Sequence, residues 1–175
     1  MWCQDEARLG LIPVLRRVWA PVGERPVAVV ERKYEWLYVY GFLHPASGRV
    51  VWLLLPRMNA AVMGLALKRF AAEAGASPDK QLVLFLDGAP SHTAPKLDVP
   101  DHVHLLFQPA YSPELQPSER LWPMIREAIA NRSFDTIEQL EEVITERCRQ
   151  LDKVPQVINA ATHYHWWPDD IPAAI

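Results

Sequence analysis

The chain has 175 residues, half of them apolar and 22% charged, with seven tryptophans and a net charge of −3. That composition excludes a disordered chain and fits one globular domain with a sizeable core. No apolar run reaches the length of a membrane-crossing helix and no signal peptide opens the sequence, while Cys3 and Cys148 match no metal spacing, so a reducing, cytoplasmic setting is the plain expectation.

Only Met1 to Gln4 precede the first acidic pair, Asp5-Glu6, so a strand ending there is expected to be short. Residues 10 to 33 carry Pro13, Pro21, Pro26 and Gly23 among scattered basic residues and read as an extended connection. Tyr34 to Leu43, rich in aromatic residues, and Arg49 to Leu55 read as strands. The turn residues His44 to Gly48 between them predict an antiparallel hairpin. Asn59 is placed to cap a helix whose stripe is Met63, Leu67, Phe70 and Ala74, and Gly75 is placed to end it.

Gln81 to Leu86 is a near-continuous apolar run, as expected of a strand buried on both faces, and Val103 to Phe107 reads as a further short strand. Helices dominate after residue 117. Asp135 with Glu138 suggests a capping box ahead of the stripe Ile137, Leu140, Ile144, Cys148 and Leu151. The order predicts an α/β fold, a mixed sheet flanked by helices, in a single domain over residues 1–175.

The negative net charge argues against a nucleic-acid partner, but its distribution softens that. Arg8, Arg16, Arg17, Arg25, Arg32 and Lys33 lie between residues 8 and 33 against only Glu24 and Glu31. Such a basic arm reads as a solvated surface or as a phosphate contact, and charge alone does not choose.

Three acids stand where a sheet would bring them together: Asp5 in the first strand, Asp87 closing the apolar run, and Glu119 opening a helix after a proline-rich approach. Phosphoryl transfer uses such carboxylates to hold hard cations, with two ions about 3.5–4 Å apart serving the attacking and leaving oxygens. Each acid also has a plain structural role. Asp87 before Gly88 suits a turn, Glu119 suits a helix N-terminus, and Asp5 beside Glu6 suits a solvated pair. No phosphate-binding glycine loop or recognisable nucleophile arrangement competes.

The flanking residues narrow the choice. Five ordered segments are Asp5-Glu6-Ala7-Arg8-Leu9-Gly10-Leu11, Arg17-Val18-Trp19-Ala20-Pro21-Val22-Gly23, Tyr38-Val39-Tyr40-Gly41, Leu86-Asp87-Gly88-Ala89-Pro90-Ser91-His92, and residues 108–122, QPAYSPELQPSERLW. Together they resemble the DDE transposases of bacterial insertion sequences, on the mariner-like branch of the RNase H-like superfamily. The resemblance implies an RNase H-like sheet, Asp5, Asp87 and Glu119 as the catalytic and metal-binding triad, and two Mg²⁺ (or Mn²⁺) ions. It further implies DNA partners (transposon ends and target) and a homodimer.

The chain departs from the family pattern in places. Gln116 stands where relatives commonly carry Asn, the better helix cap. Only 31 residues separate Asp87 from Glu119, and Pro123 means that the helix starts late or kinks. Glu114 is a rival third ligand, less suited because it lies between Pro113 and Leu115 in a loop. His92 either orients a carboxylate, meets a phosphate or is structural. Trp122, Ile125, Trp166 and Trp167, the last two near His163 and His165, are expected to pack.

The helix-turn-helix region that such transposases carry ahead of the catalytic domain is expected to be absent, so the chain alone should bind DNA without sequence preference. Two other functions stay open: an inactive or domesticated remnant acting as a binding module, favoured by an incomplete first strand and Gln116, and a stand-alone RNase H-like nuclease.

Overall fold

The first strand is no stub. In the computed structural model, which describes residues 1–27 and 33–168, β1 (Trp2–Gly10) runs nine residues, with Asp5 in its interior rather than at its end. After Asp5 the chain keeps alternating, with Ala7 and Leu9 buried on one face, and its pairing with the next strand continues to Gly10. β2 (Trp36–His44) pairs antiparallel with it from Cys3↔Leu43 to Gly10↔Trp36. β3 (Arg49–Leu55) completes the expected hairpin. Its turn is held to a later helix, because Asn159 Nδ2 donates to the carbonyls of Pro45 and Ala46 at 2.9 Å each.

The first helix, α1 (Ala60–Ala74), begins and ends as its residues predict. The Asn59 side chain accepts from Val62 N–H at 2.9 Å, and Gly75 takes the left-handed conformation, φ 77°, that terminates it. β4 (Leu82–Leu86) and β5 (Val103–Phe107) add in parallel, giving the order β3-β2-β1-β4-β5.

β4 corrects one expectation. It is not buried on both faces, since Val83 is exposed and Phe85 only half-buried. Its apolar run is continuous, yet one face is covered only in part, with Trp167 edge-on against Phe85 at 5.7 Å.

Helices α2 (Leu121–Glu127), α3 (Ile137–Asp152) and α4 (Pro155–Thr162) follow. Pro123 is accommodated by a late start: a 3₁₀ turn over Pro117–Arg120 precedes α2, so the proline sits in the helix's first turn, where no N–H is missed. The cap of α3 is one residue later than the Asp135/Glu138 box. Thr136 accepts from Gln139 N–H, and Gln139 Oε1 reaches back to Asp135 N–H at 3.1 Å. The stripe Leu140, Ile144, Cys148 and Leu151 is buried as expected.

Alternation along β1 and β2 feeds two cores. Cys3, Ala7, Leu9, Leu37, Val39 and Leu43 face α2, α3 and α4, whereas Trp2, Tyr40 and Phe42 face α1. The sheet is therefore covered from both sides, the RNase H-like arrangement. Among the described residues, no helix is long and apolar enough to cross a membrane.

Candidate metal centre

Asp5, Asp87 and Glu119 come from three different elements and line one open cleft of about 290 Å³. Gly88, Ala89, Gln108, Tyr111 and Gln116 share its walls. Glu114 does not line this cleft; it lies in the neighbouring one, of about 300 Å³, beside Arg120 and Trp166. Among the described residues the acids do not close into a ready-made cage of three ligating side chains. They form an open, acid-lined wall.

Each acid is placed by identifiable contacts. Asp5 points from β1 towards α2, where Trp122 Nε1–H donates to its Oδ2 at 2.6 Å. A buried indole N–H needs an acceptor, and Asp5 supplies it. Trp122 is thus core, as expected, and also a support of the site. Burial pushes the Asp5 carboxyl up to about 7; the Trp122 hydrogen bond pulls it back, and the negative charge of Glu119 pushes it up again.

Gly41, the register partner of Asp5, leaves room for α2. A Cβ there would stand 3.1 Å from Leu121 Cδ1 and 3.3 Å from Trp122 Cη2. Gly41→Val is expected to destabilise the fold by about 1–3 kcal/mol through overpacking. Chemical denaturation measures this, and an unchanged midpoint would mean that α2 yields freely.

Glu119 is carried by the 3₁₀ turn, and that turn is tied to β1 twice. Gln116 Nε2 donates to the Gln4 carbonyl at 2.9 Å, and Ser118 Oγ–H donates to Cys3 Sγ at 3.0 Å. Gln116 makes no side-chain cap, so the weaker capping of Gln is immaterial here: its amide is buried and works as a cross-strut. Burial pushes the Cys3 thiol up to about 12, which keeps it an uncharged acceptor in the core.

Asp87 follows β4 directly, and Ala89 N–H donates to its Oδ1 at 3.0 Å. His92 Nδ1 lies 2.7 Å from the same oxygen and 3.2 Å from the Asp87 carbonyl, while its Nε2 lies 2.9 Å from Glu6 Oε1. Oδ2 of Asp87 takes part in none of these bonds. Burial alone would lower His92, but the hydrogen bond and charge of Glu6, followed by the charge of Asp87, raise it to about 9.

The donor set fits a hard divalent cation. Beside the carboxylates, Gln108 Oε1 and Gln116 Oε1 are buried without a hydrogen-bond partner, and both residues line the cleft. Carboxylate oxygens are the ligands a small divalent cation prefers, and such a cation keeps several waters of its own, which an open cleft admits.

Glu6, Trp122 and Gln116 lie within the quoted segments, but their supporting contacts are not legible there, although strand alternation already separates Glu6 from Asp5 by face. The basic arm is partly spoken for. Arg16 pairs with Glu127, Arg8 lies 4.7 Å over the Trp36 ring, and Lys33 donates to the Asp135 carbonyl at 2.9 Å. Arg32 lies outside the described residues. Trp167 packs in the core as expected; Trp166 is half-exposed in the cleft that also holds Glu119.

Comparison with known proteins bears on the family and the fold. Residues 1–141 match the family described as DDE superfamily endonuclease. An uncharacterized protein, y4pE/y4sA, of Sinorhizobium fredii (strain NBRC 101917 / NGR234) is 35% identical over 122 residues, 68% of this chain and 85% of that protein. Among solved structures, the Mos1 mariner paired-end complex with Mn is 19% identical with a TM-score of 0.59. The same complex with Mg is 20% identical with a TM-score of 0.58. Each alignment covers 95% of this chain but only 56% of the Mos1 chain, and at that identity what is shared is the fold.

Proposed function

The chain belongs to the DDE superfamily endonucleases, and from that premise we propose that it is the catalytic domain of a transposase that cuts DNA at insertion-sequence ends and joins the strands to a target. In this reading Asp5, Asp87 and Glu119 hold two Mg²⁺ or Mn²⁺ ions, and the chain works as a homodimer on DNA in the cytoplasm. The observation that carries the reading is the shared cleft: three carboxylates remote in sequence line one opening, with two unpartnered amide oxygens beside them.

The chemistry such ions supply when bound is activation of a water or a 3′-hydroxyl and neutralisation of the departing oxygen. The residues of the chain do the rest. Asp87, anchored at Oδ1, presents its other oxygen without a competing partner among these bonds. Asp5 is fixed by Trp122, and its carboxyl gives up a proton near neutral pH. Glu119 sits in a turn strapped to β1. The openness of the cleft suits a long polymer substrate rather than an enclosed small molecule.

The test is incubation of the chain with a supercoiled plasmid carrying the element's ends, with and without Mg²⁺ or Mn²⁺. Metal-dependent nicking and joining of a 3′-hydroxyl end to target DNA are the expected results. Cleavage of branched DNA without joining would favour the stand-alone nuclease. Absence of cleavage with either ion would favour the inactive remnant, which has lost the support of an incomplete first strand.

A further inference from the structure

The doublet Asp5-Glu6 divides its work between the two faces of the sheet. Consecutive strand residues point to opposite sides. Asp5 goes to the α2 face, to Trp122, whereas Glu6 goes to the α1 face, in register with the fully buried Tyr40. The Glu6 side chain is only 6% exposed, and that of His92 only 1%. A carboxylate so enclosed is costly unless paired, and its charged partner here is His92. His92 in turn spends its other nitrogen on Asp87, on both the carboxylate and the main-chain carbonyl.

Donor accounting gives the brace a direction. The Asp87 carbonyl can only accept, so His92 Nδ1 carries a proton and donates to Asp87. Facing a second carboxylate, Nε2 donates as well when Glu6 is ionised, which makes the imidazole a two-ended donor between two acids. The contact crosses 86 residues of sequence and joins the middle of β1 to the turn after β4. Asp87 is otherwise held at Oδ1 only by the Ala89 N–H of its own turn. His92 and Glu6 thus provide the one link, among the described residues, from the Asp87 carboxylate to another strand.

We propose that Glu6 and His92 form a buried brace that sets the Asp87 carboxylate for metal binding from the opposite face of the sheet, with Glu6 a positioning residue that acts through His92 and touches no metal. The inference rests on the reading of Asp87 as a metal ligand. Groups that orient ligating side chains typically contribute 10–100-fold to metal affinity. Glu6, although next in sequence to Asp5, then affects the site without lining the cleft.

The experiment is a Mn²⁺ titration of the whole chain followed by electron paramagnetic resonance, with circular dichroism and thermal unfolding on every variant. Glu6→Gln is expected to weaken Mn²⁺ binding by about tenfold and His92→Ala by about 10–100-fold. The double variant should bind no more weakly than His92→Ala alone, because Glu6 acts only through the imidazole. His92→Asn, whose amide N–H can replace Nδ1–H, should recover part of the loss; a purely space-filling role for His92 predicts no such recovery. If His92→Ala does not fold, His92→Asn and Glu6→Gln carry the comparison. Unchanged affinity in Glu6→Gln, or losses that multiply in the double variant, would overturn the brace while leaving the metal reading intact. A parent chain that binds no Mn²⁺, or binding that survives Asp87→Ala, would overturn the metal reading and the brace with it.

Discussion

Asp87→Asn is expected to reduce metal-dependent nicking by on the order of 10³-fold or more with the fold retained, since charge stabilisation by bound metal contributes several kcal/mol to such transition states. Asn is the informative replacement. Its Oδ1 still accepts from Ala89 N–H and from His92 Nδ1–H, the two bonds that anchor the native side chain, and only the charge is lost. Asp87→Ala removes those bonds too, leaving His92 Nδ1 with only the main-chain carbonyl, so it mixes a folding defect with a chemical one. Plasmid nicking against time in Mg²⁺ and Mn²⁺, with unfolding curves on the same preparations, measures both. Nicking by Asp87→Asn at the parent's rate would remove Asp87 from the metal set.

The second large effect is electrostatic. In the metal-free protein Asp5 is raised from 3.8 to about 7, chiefly by burial and further by the charge of Glu119. Between those pH values the folded chain binds a proton that the unfolded chain does not, so stability falls as pH rises from about 4 to about 7. Asp5→Asn removes this dependence and keeps an oxygen for the Trp122 N–H. At pH 8 without metal the variant should therefore melt several degrees above the parent, each kcal/mol moving Tm by roughly 2–4 °C in a domain of this size. Saturating Mn²⁺ should reverse the order, stabilising the parent and leaving Asp5→Asn unmoved. A parent melting point that is flat from pH 4 to 8 would show that Asp5 does not titrate there. His92 has the same sign in a higher window: its raised value, about 9, gives stability that is present below about 6.5 and lost as pH rises through 9. The two groups can therefore be separated by pH window.

Much of the architecture is legible in the residues themselves. Asn59 and Gly75 bound α1 because a cap acceptor and a left-handed terminator are single-residue requirements. The hairpin of β2 and β3 follows from two apolar runs around a turn, and the α3 stripe from helical spacing. The errors have tertiary causes. β1 was expected to be short because little chain precedes Asp5, but strand length is set by the ladder to β2, which extends to Gly10. β4 was expected to be buried twice over because its run is apolar, but burial depends on what lies above Val83 and Phe85.

The sequence by itself determined the element order and most of the apolar faces, and it singled out the three acids as candidates, since periodicity, capping and motif are properties of near neighbours along the chain. Only the tertiary structure decided that Asp5, Asp87 and Glu119 line one cleft, that Glu114 lies outside it, and that Gln116 straps the Glu119 turn to β1. It alone brought His92 to Glu6, because that bond spans 86 residues of sequence with β2, β3, α1 and β4 between its partners. Such contacts arise where strands and loops close in space, and no local preference of either partner encodes the distance between them.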